Sequence, residues 1–233
     1  MKQITVATYN ILHGAAVEQD WSRLAAVVRQ CDADILGVQE VDMFTNRSGR
    51  VDSVKGLSEA LDMPYTCFVP AMDYDGGQYG TAILSRYPLE ILQIQELHSA
   101  GFEPRAMGVV KILHPTCGDI LFANTHLSYE DQKMRLIQFK QLAYRLFTGY
   151  PTDVPMILTG DFNTDKFEDF SALETIGFAL VNRGKTPYMT FRTEPMAIDN
   201  VVYRASRLSP TEHGMIESDA SDHNLLWCRF EVI

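Results

Sequence analysis

No stretch of the chain approaches the ~18 continuous apolar residues that a membrane-spanning helix needs. The opening residues, MKQITVATYN, alternate like a strand and lack the apolar block of a secretory signal. The expectation is a cytoplasmic protein, or a secreted or periplasmic one if a leader was removed before residue 1. The four cysteines, Cys31, Cys67, Cys117 and Cys228, are scattered and form no CxxC pair. That spacing speaks against a zinc site and a disulfide framework, and buried thiols are the expected state. Basic runs are missing too. Lys and Arg number 20 against 30 Asp and Glu, a net charge of −10, whereas a protein that grips long nucleic acid usually shows a basic face that releases counterions from phosphates. The balance counts against long DNA without excluding local basic patches. Linkers, low-complexity tracts and short repeats are also absent, so residues 1–233 read as a single domain, expected to be a monomer.

What the chain does contain is ordinary core material: 46% hydrophobic and 21% charged residues, a globular balance. Short apolar runs bounded by turn residues predict strands at 3–9, 34–40, 80–85, 91–97, 105–113, 119–125, 198–203 and 225–231. Helical spacing predicts helices at 21–30, capped by Asp20, at 53–61, and near 167–176. Ser128 with Asp131 resembles a capping box. It opens a helix to about Phe147, with Leu136, Phe139, Ala143, Leu146 and Phe147 turned inward. Residues 42–52, 70–79 and 182–197 read as loops or polar stretches. Strands outnumber helices, and each half contains strand–helix–strand followed by hairpin-like pairs. The implied architecture is two mixed sheets packed face to face with helices on the outer faces, an α/β (α+β) sandwich.

The stretch Ile157 to Asn163, ILTGDFN, leaves a buried strand and delivers Asp161 and Asn163 to one side, with Phe162 to the other. A carboxylate and an amide aimed together can hold one water, accept its proton and fix its direction. Other strands also end in polar residues: Asn10, Glu40, His126, Asp199, and Asp222 with His223. Taken singly, each has a plain explanation as a turn former, a helix cap or a satisfied structural histidine. Asp199 is harder to dismiss, because a carboxylate inside an apolar strand (AIDNVVY) costs several kcal/mol unless paired, and His223 would be its partner. Together they suit hydrolysis of a phosphoester. Oxygen ligands from Glu40, Asn10 and Asp222 suit Mg²⁺ or Mn²⁺. Asp161 would be the general base, with Asn163 positioning the water. His126 and His223 would donate to phosphate oxygens or protonate the leaving group, and Asp199 would fix the tautomer of His223 and keep it charged. Arg105 is a candidate phosphate contact by its fork geometry, and a surface ion pair is the competing reading.

The ordered set TYN, VQEVD, GTAILSR, NTHL, GDFN, IDNVVY and SDHN resembles the endonuclease/exonuclease/phosphatase superfamily, the DNase-I-like fold, over essentially the whole chain from Tyr9 to Leu226. The resemblance implies a four-layer α/β sandwich with the site at one edge of the paired sheets. It also implies a divalent metal on Glu40, water activation by Asp161 and Asn163, and a His223–Asp199 pair. Tyr9, Val41-Asp42 and His126 depart from the pattern expected of apurinic-site endonucleases and fit the branch of DNase-like enzymes, sphingomyelinases and inositol-polyphosphate phosphatases. The chain is compact for the superfamily. With its acidic charge, this favours a small, sugar or lipid-headgroup phosphoester as substrate. The alternatives are a DNA or RNA nuclease of the same fold, for which Tyr74, Tyr79, Tyr188 and Phe191 would supply stacking faces, and a non-catalytic binding module.

Overall fold

The computed structural model describes residues 2–233. Two six-stranded mixed sheets carry the molecule, and their strands follow the chain almost in halves. The first sheet contains β1 (Gln3–Asn10), β2 (Ile35–Met43), β3 (Tyr65–Tyr74), β4 (Gly77–Ser85), β11 (Leu208–Ile216) and β12 (Leu225–Val232), in the order β11-β12-β1-β2-β4-β3. The second contains β5 (Leu89–Leu97), β6 (Arg105–His114), β7 (Gly118–His126), β8 (Met156–Asp161), β9 (Phe178–Leu180) and β10 (Asp199–Arg204), in the order β5-β6-β7-β8-β10-β9. Each sheet has one parallel pair at its centre, β1 with β2 and β7 with β8, and a helix on the connection. Those helices are α1 (Trp21–Val28) and α3 (Gln132–Gly149); α2 (Ser53–Leu61) and the short α4 (Ser171–Thr175) complete the set.

The layers follow from side-chain partition. Ile4, Val6, Ile35, Ile83, Val110, Phe122, Ile157 and Val201 fill the space between the sheets. On the outer face of the first sheet, Leu24, Val28, Leu57 and Leu61 of α1 and α2 pack against Tyr9, Leu36 and Val38. On the outer face of the second, Phe139, Leu142 and Leu146 of α3 cover Leu121, Leu158 and Phe162. Strands covered on both faces have no solvent side, which is why β1 and β8 are buried along almost their whole length, small threonines included.

Several local expectations differ from the structure. Residues 70–79 form most of a hairpin, because Asp75-Gly76, both at positive φ, turn β3 into β4. β2 continues past Glu40 to Met43 through a bulge between Val38 and Val41, with Glu40 at φ 55. The edge strands β3, β9 and β11 have no strong apolar alternation and were not predicted. The N-cap of α3 is Asp131, whose side chain accepts from the Met134 amide at 2.8 Å, while the Ser128 hydroxyl turns to Glu130. Phe147 is exposed, because the buried stripe of α3 runs through Met134, Gln138, Phe139, Leu142, Ala143 and Leu146.

Towards one end of the sandwich the inter-sheet filling turns polar. Asn124 of β7 donates to the carbonyls of Val38 and Ala82, both at 2.9 Å, and so ties the second sheet to the first. Its own oxygen accepts from Gln39 at 2.7 Å and from Thr159 at 3.0 Å, and Gln39 also donates to Thr8 at 3.0 Å. All four side chains are fully buried. Gly37 is needed here: a Cβ would lie 2.2 Å from the Thr159 hydroxyl. This layer sits one or two residues below the strand ends that carry the site.

Candidate active site

β7, β8 and β10 are neighbours, and their register sets His126 opposite Asp161 and Asp161 opposite Asp199. Cross-strand partners leave a sheet on the same face, so the three side chains form a row. The next residue, Phe162, turns away and stacks with Phe139 and Phe170 under α3. Asn163 then adopts φ 51, a conformation that Asn tolerates better than most residues. Its amide N–H donates to Asp161 Oδ1 at 2.9 Å, and its side-chain nitrogen donates to the Leu127 carbonyl at 2.9 Å.

The first sheet contributes from the facing side. Asn10, at the end of β1, donates through one side-chain nitrogen to Glu40 Oε1 and to Asp161 Oδ2, both at 3.0 Å. Its oxygen accepts from the Leu12 amide at 3.1 Å. Asn10 therefore bridges the two carboxylates and turns its oxygen to the backbone. His223, just before β12, places Nδ1 2.8 Å from Asp199 Oδ2 and Nε2 3.7 Å from Asp161 Oδ2. Asp222 is half-buried at the rim.

These contacts divide the titratable groups by charge. Burial pushes the Asp161 carboxyl up, and the neighbouring Asp199 charge pushes it further, to about 7. Burial also works against ionised Glu40, but His13, Asn10 and the charged His223 oppose it and hold the carboxyl below its ordinary value. For His223, burial favours the neutral ring, yet the charge and hydrogen bond of Asp199, together with Asp161 and Asp222, raise it to about 10. His126 goes the other way: complete burial and the Arg105 guanidinium push it well below its ordinary value. It is therefore a neutral ring with one lone pair. Arg105 Nη1 faces its Nδ1 at 3.1 Å and Asn163 Nδ2 faces its Nε2 at 3.0 Å, and one lone pair satisfies only one of these donors.

All of this opens into a cleft of about 620 Å³. Glu40, His126, Asp161, Asn163, Asp222, His223 and Arg105 all line it, while Asn10 and Asp199 stand behind as partners of lining residues. Arg105 is itself buried, with Nη1 also 2.9 Å from Glu103. Of the aromatic residues considered from sequence, Tyr74, Tyr79 and Phe191 reach the cleft. Tyr188 bonds His213 instead. Sequence reasoning missed His13, whose Nδ1 lies 3.8 Å from Glu40 Oε2, and the cleft arginines Arg47 and Arg135. A lone histidine or arginine, in a loop or at the start of a helix as Arg135 is, gives no pattern to find it by; consecutive positive φ at Leu12, His13 and Gly14 mark His13 only once the backbone is known.

Residues 7–223 match the model of the Endonuclease/Exonuclease/phosphatase family. The chain belongs to that family. Its members are phosphoester hydrolases, generally dependent on a divalent metal, and the chain is an enzyme of that class. No curated protein matches it by sequence. Among solved structures it is similar to an endonuclease/exonuclease/phosphatase from Beutenbergia cavernae (TM-score 0.82, 21% identity, covering 100% of this chain and 72% of the other). It is also similar to a mannosyl-6-phosphatase from Bacteroides thetaiotaomicron (TM-score 0.67, 20% identity, 99% of each chain). A third similar structure is TDP2 from D. rerio complexed with a single-strand DNA product (TM-score 0.72, 16% identity, 99% of this chain and 100% of the other). Such identities establish the DNase-I-like fold, and the substrate is a separate question. No helix among the described residues is long and apolar enough to cross a membrane.

Proposed function

We propose that this enzyme is a Mg²⁺- or Mn²⁺-dependent phosphodiesterase or phosphatase acting on a small, sugar or lipid-headgroup phosphate. The observation that carries the reading is the pairing of opposites across one cleft. Glu40 stays anionic with an oxygen turned outward, while Asp161, buried beside it, is held at about 7.

The donor set fits a hard cation. Glu40 and Asp222 offer carboxylate oxygens, and no cysteine lines the cleft. Asp161, Asp199 and His223 also bring ligand atoms within 4.8 Å of one another. There, however, Asp199 keeps the His223 ring protonated, with a proton on each nitrogen and no lone pair to offer, so the cation is assigned to the Glu40 and Asp222 side. When bound, the ion supplies positive charge to a phosphoryl oxygen as negative charge grows there.

The chain's own residues do the rest. Asp161, with a pKa near neutrality, accepts the proton of the attacking water. Asn163 fixes Asp161 through its amide N–H, and its side-chain oxygen is free to orient that water. His223, kept charged by Asp199, donates through Nε2 to the phosphoryl group. Asn10 holds Glu40 and Asp161 at a fixed separation as a positioning residue, in place of the ligand role expected from sequence. Arg105 sets the orientation of His126 and adds positive charge at the phosphate end.

A nuclease is the second reading, favoured by Tyr74, Tyr79 and Phe191 in the cleft, where bases can stack. The net charge of −10 weighs against it. The test is a Mg²⁺ and Mn²⁺ activity screen of wild type beside Asp161→Asn on bis-p-nitrophenyl phosphate, p-nitrophenyl phosphate, DNA, RNA, and lipid and inositol phosphates. Metal-dependent cleavage of small esters with nucleic acids untouched supports the first reading, and the reverse replaces it with the second.

A further inference from the structure

Arg47 lies in the loop after β2, a first-sheet element, and lines the same cleft as Asp161 and His223 of the row described above. Its Nε and Nη2 grip both oxygens of Asp42 at 2.7 and 2.8 Å. Asp42 is fully buried and also accepts from the Thr45 hydroxyl at 2.7 Å. The guanidinium carbon lies over Tyr74, 4.6 Å from the ring centroid, with Tyr79 at 5.5 Å. The loop itself is pinned to the β3–β4 turn: the Arg47 amide donates to Asp75 Oδ2 at 2.7 Å and the Asn46 amide to the Asp75 carbonyl at 2.9 Å. Asp42 and Tyr74 thus hold the plane of the guanidinium still.

An arginine fork has two donor edges, and Asp42 occupies one of them. The other, formed by Nη1 and the outer N–H of Nη2, has no partner among the described residues and belongs to a side chain that lines the cleft and is 32% exposed. The remaining cleft arginines are committed differently. Arg105 is buried with Nη1 on His126 and Glu103, and Arg135 spends Nη1 on the carbonyls of Ser128 and Tyr129. Their Nε atoms are buried, whereas Arg47 offers a pre-oriented pair of parallel donors on a partly exposed side chain, the geometry that receives two oxygens of a phosphate or carboxylate. Pre-organisation matters, because the ordering cost has already been met in the fold.

We infer that Arg47 and Tyr74 form a second anion subsite, so that the small substrate carries a second phosphate besides the one hydrolysed. This rests on the proposed hydrolase reading for the location of the reacting phosphate. It makes the enzyme one that prefers bisphosphorylated over monophosphorylated small molecules.

The test is calorimetric binding of a hexose 1,6-bisphosphate and a hexose 6-phosphate, with Mg²⁺ present, to the Asp161→Asn protein, which leaves the probes intact. The bisphosphate should bind on the order of 10–100-fold more tightly, the worth of a charged hydrogen-bonded contact. Arg47→Ala would strand Asp42 as a buried unpaired charge and risks unfolding. Arg47→Lys, which keeps a cation on Asp42 but removes the free edge, and the neutral pair Asp42→Asn/Arg47→Gln are the informative variants. In both, the preference should fall to within about threefold while the monophosphate affinity stays within about twofold, as expected when one uniform contact is lost. Equal or absent binding of the two sugars by the Asp161→Asn protein, or a preference that survives both variants, overturns the subsite. A single-stranded oligonucleotide that binds in an Arg47-dependent way where neither sugar does overturns the small-molecule class. Turnover of bis-p-nitrophenyl phosphate by wild type, measured separately, reports on the hydrolase reading alone, so the two can fail independently.

Discussion

The two strand–helix–strand units, β1–α1–β2 and β7–α3–β8, are built alike and end differently. Each supplies the parallel pair at the centre of its sheet, and each delivers a carboxylate where its second strand meets the cleft: Glu40 from the first, Asp161 from the second. Glu40 sits on a bulge that tips its side chain outward to 22% exposure, with His13, Asn10 and the charged His223 holding it ionised. Asp161 ends a regular strand, buried next to a second carboxylate that raises its pKa. In the proposed function the same group would hold a cation in one unit and accept a proton in the other, and the difference lies in burial and neighbours, not in residue type. Asn10 touches both and marks the seam.

Four substitutions break or sharpen this contrast. The largest effect is expected for Asp161→Asn: a loss of about 10²–10⁴-fold in kcat, typical of a positioned general base, with metal binding by calorimetry largely kept. Because the raised pKa means that ionised Asp161 costs stability above the unfolded carboxylate range, this variant should melt at or above wild type in chelator at pH 8, and the gain should vanish near pH 4. A lower melting temperature at pH 8 would show that Asp161 is structural. Glu40→Gln should cost at least the ~10–100-fold that even outer-shell partners of a metal contribute, and activity should partly return as Mg²⁺ is raised. If a metal titration changes nothing, Glu40 is not a ligand.

Beneath the site, Asn124→Ala should leave the Val38 and Ala82 carbonyls, Gln39 and Thr159 short of partners. At about 1–3 kcal/mol per stranded group, partly relieved by relaxation, we expect roughly 2–4 kcal/mol lost in urea unfolding. An unchanged midpoint would mean that the sheets are held by their apolar filling alone. The smallest effect concerns pH. The folded pKa of His223 is raised above its unfolded value to about 10, so its contribution is fully present below about pH 6.5 and is lost as pH rises through about 10. The stability gap between wild type and His223→Gln, measured in chelator, should therefore be widest near pH 6 and close towards pH 10. A gap that widens with pH would assign a neutral ring to His223.

Much of the fold and site was readable from local pattern. The alternation of β1 and the apolar runs of β2, β7 and β8 stand out because turn residues bound them, and the expected helix at 53–61 coincides with α2, where the structure adds Asp52 as the N-cap and Asp62 as the left-handed end. β3, β9 and β11 were not legible, since an edge strand is defined by its partner more than by its own alternation. At the site, GDFN and SDHN were legible because reactive groups cluster at strand ends, where a short motif records them. His13, Arg47 and Arg135 carry no such signature. They reach the cleft from the β1–α1 connection, the loop after β2 and the first turn of α3, far apart in the chain.

The sequence by itself determined the alternation of elements, the two-sheet sandwich and the identity of the polar residues at the strand ends, because these follow from periodicity and turn chemistry over a few residues. Only the tertiary structure decided which carboxylate is anionic and which is near neutral, that Asn10 bridges them, and that Arg47 keeps one donor edge free. Charge state and donor availability are set by distances between groups remote in the chain, such as Asn10 and Asp161, 151 positions apart, and no local pattern encodes those.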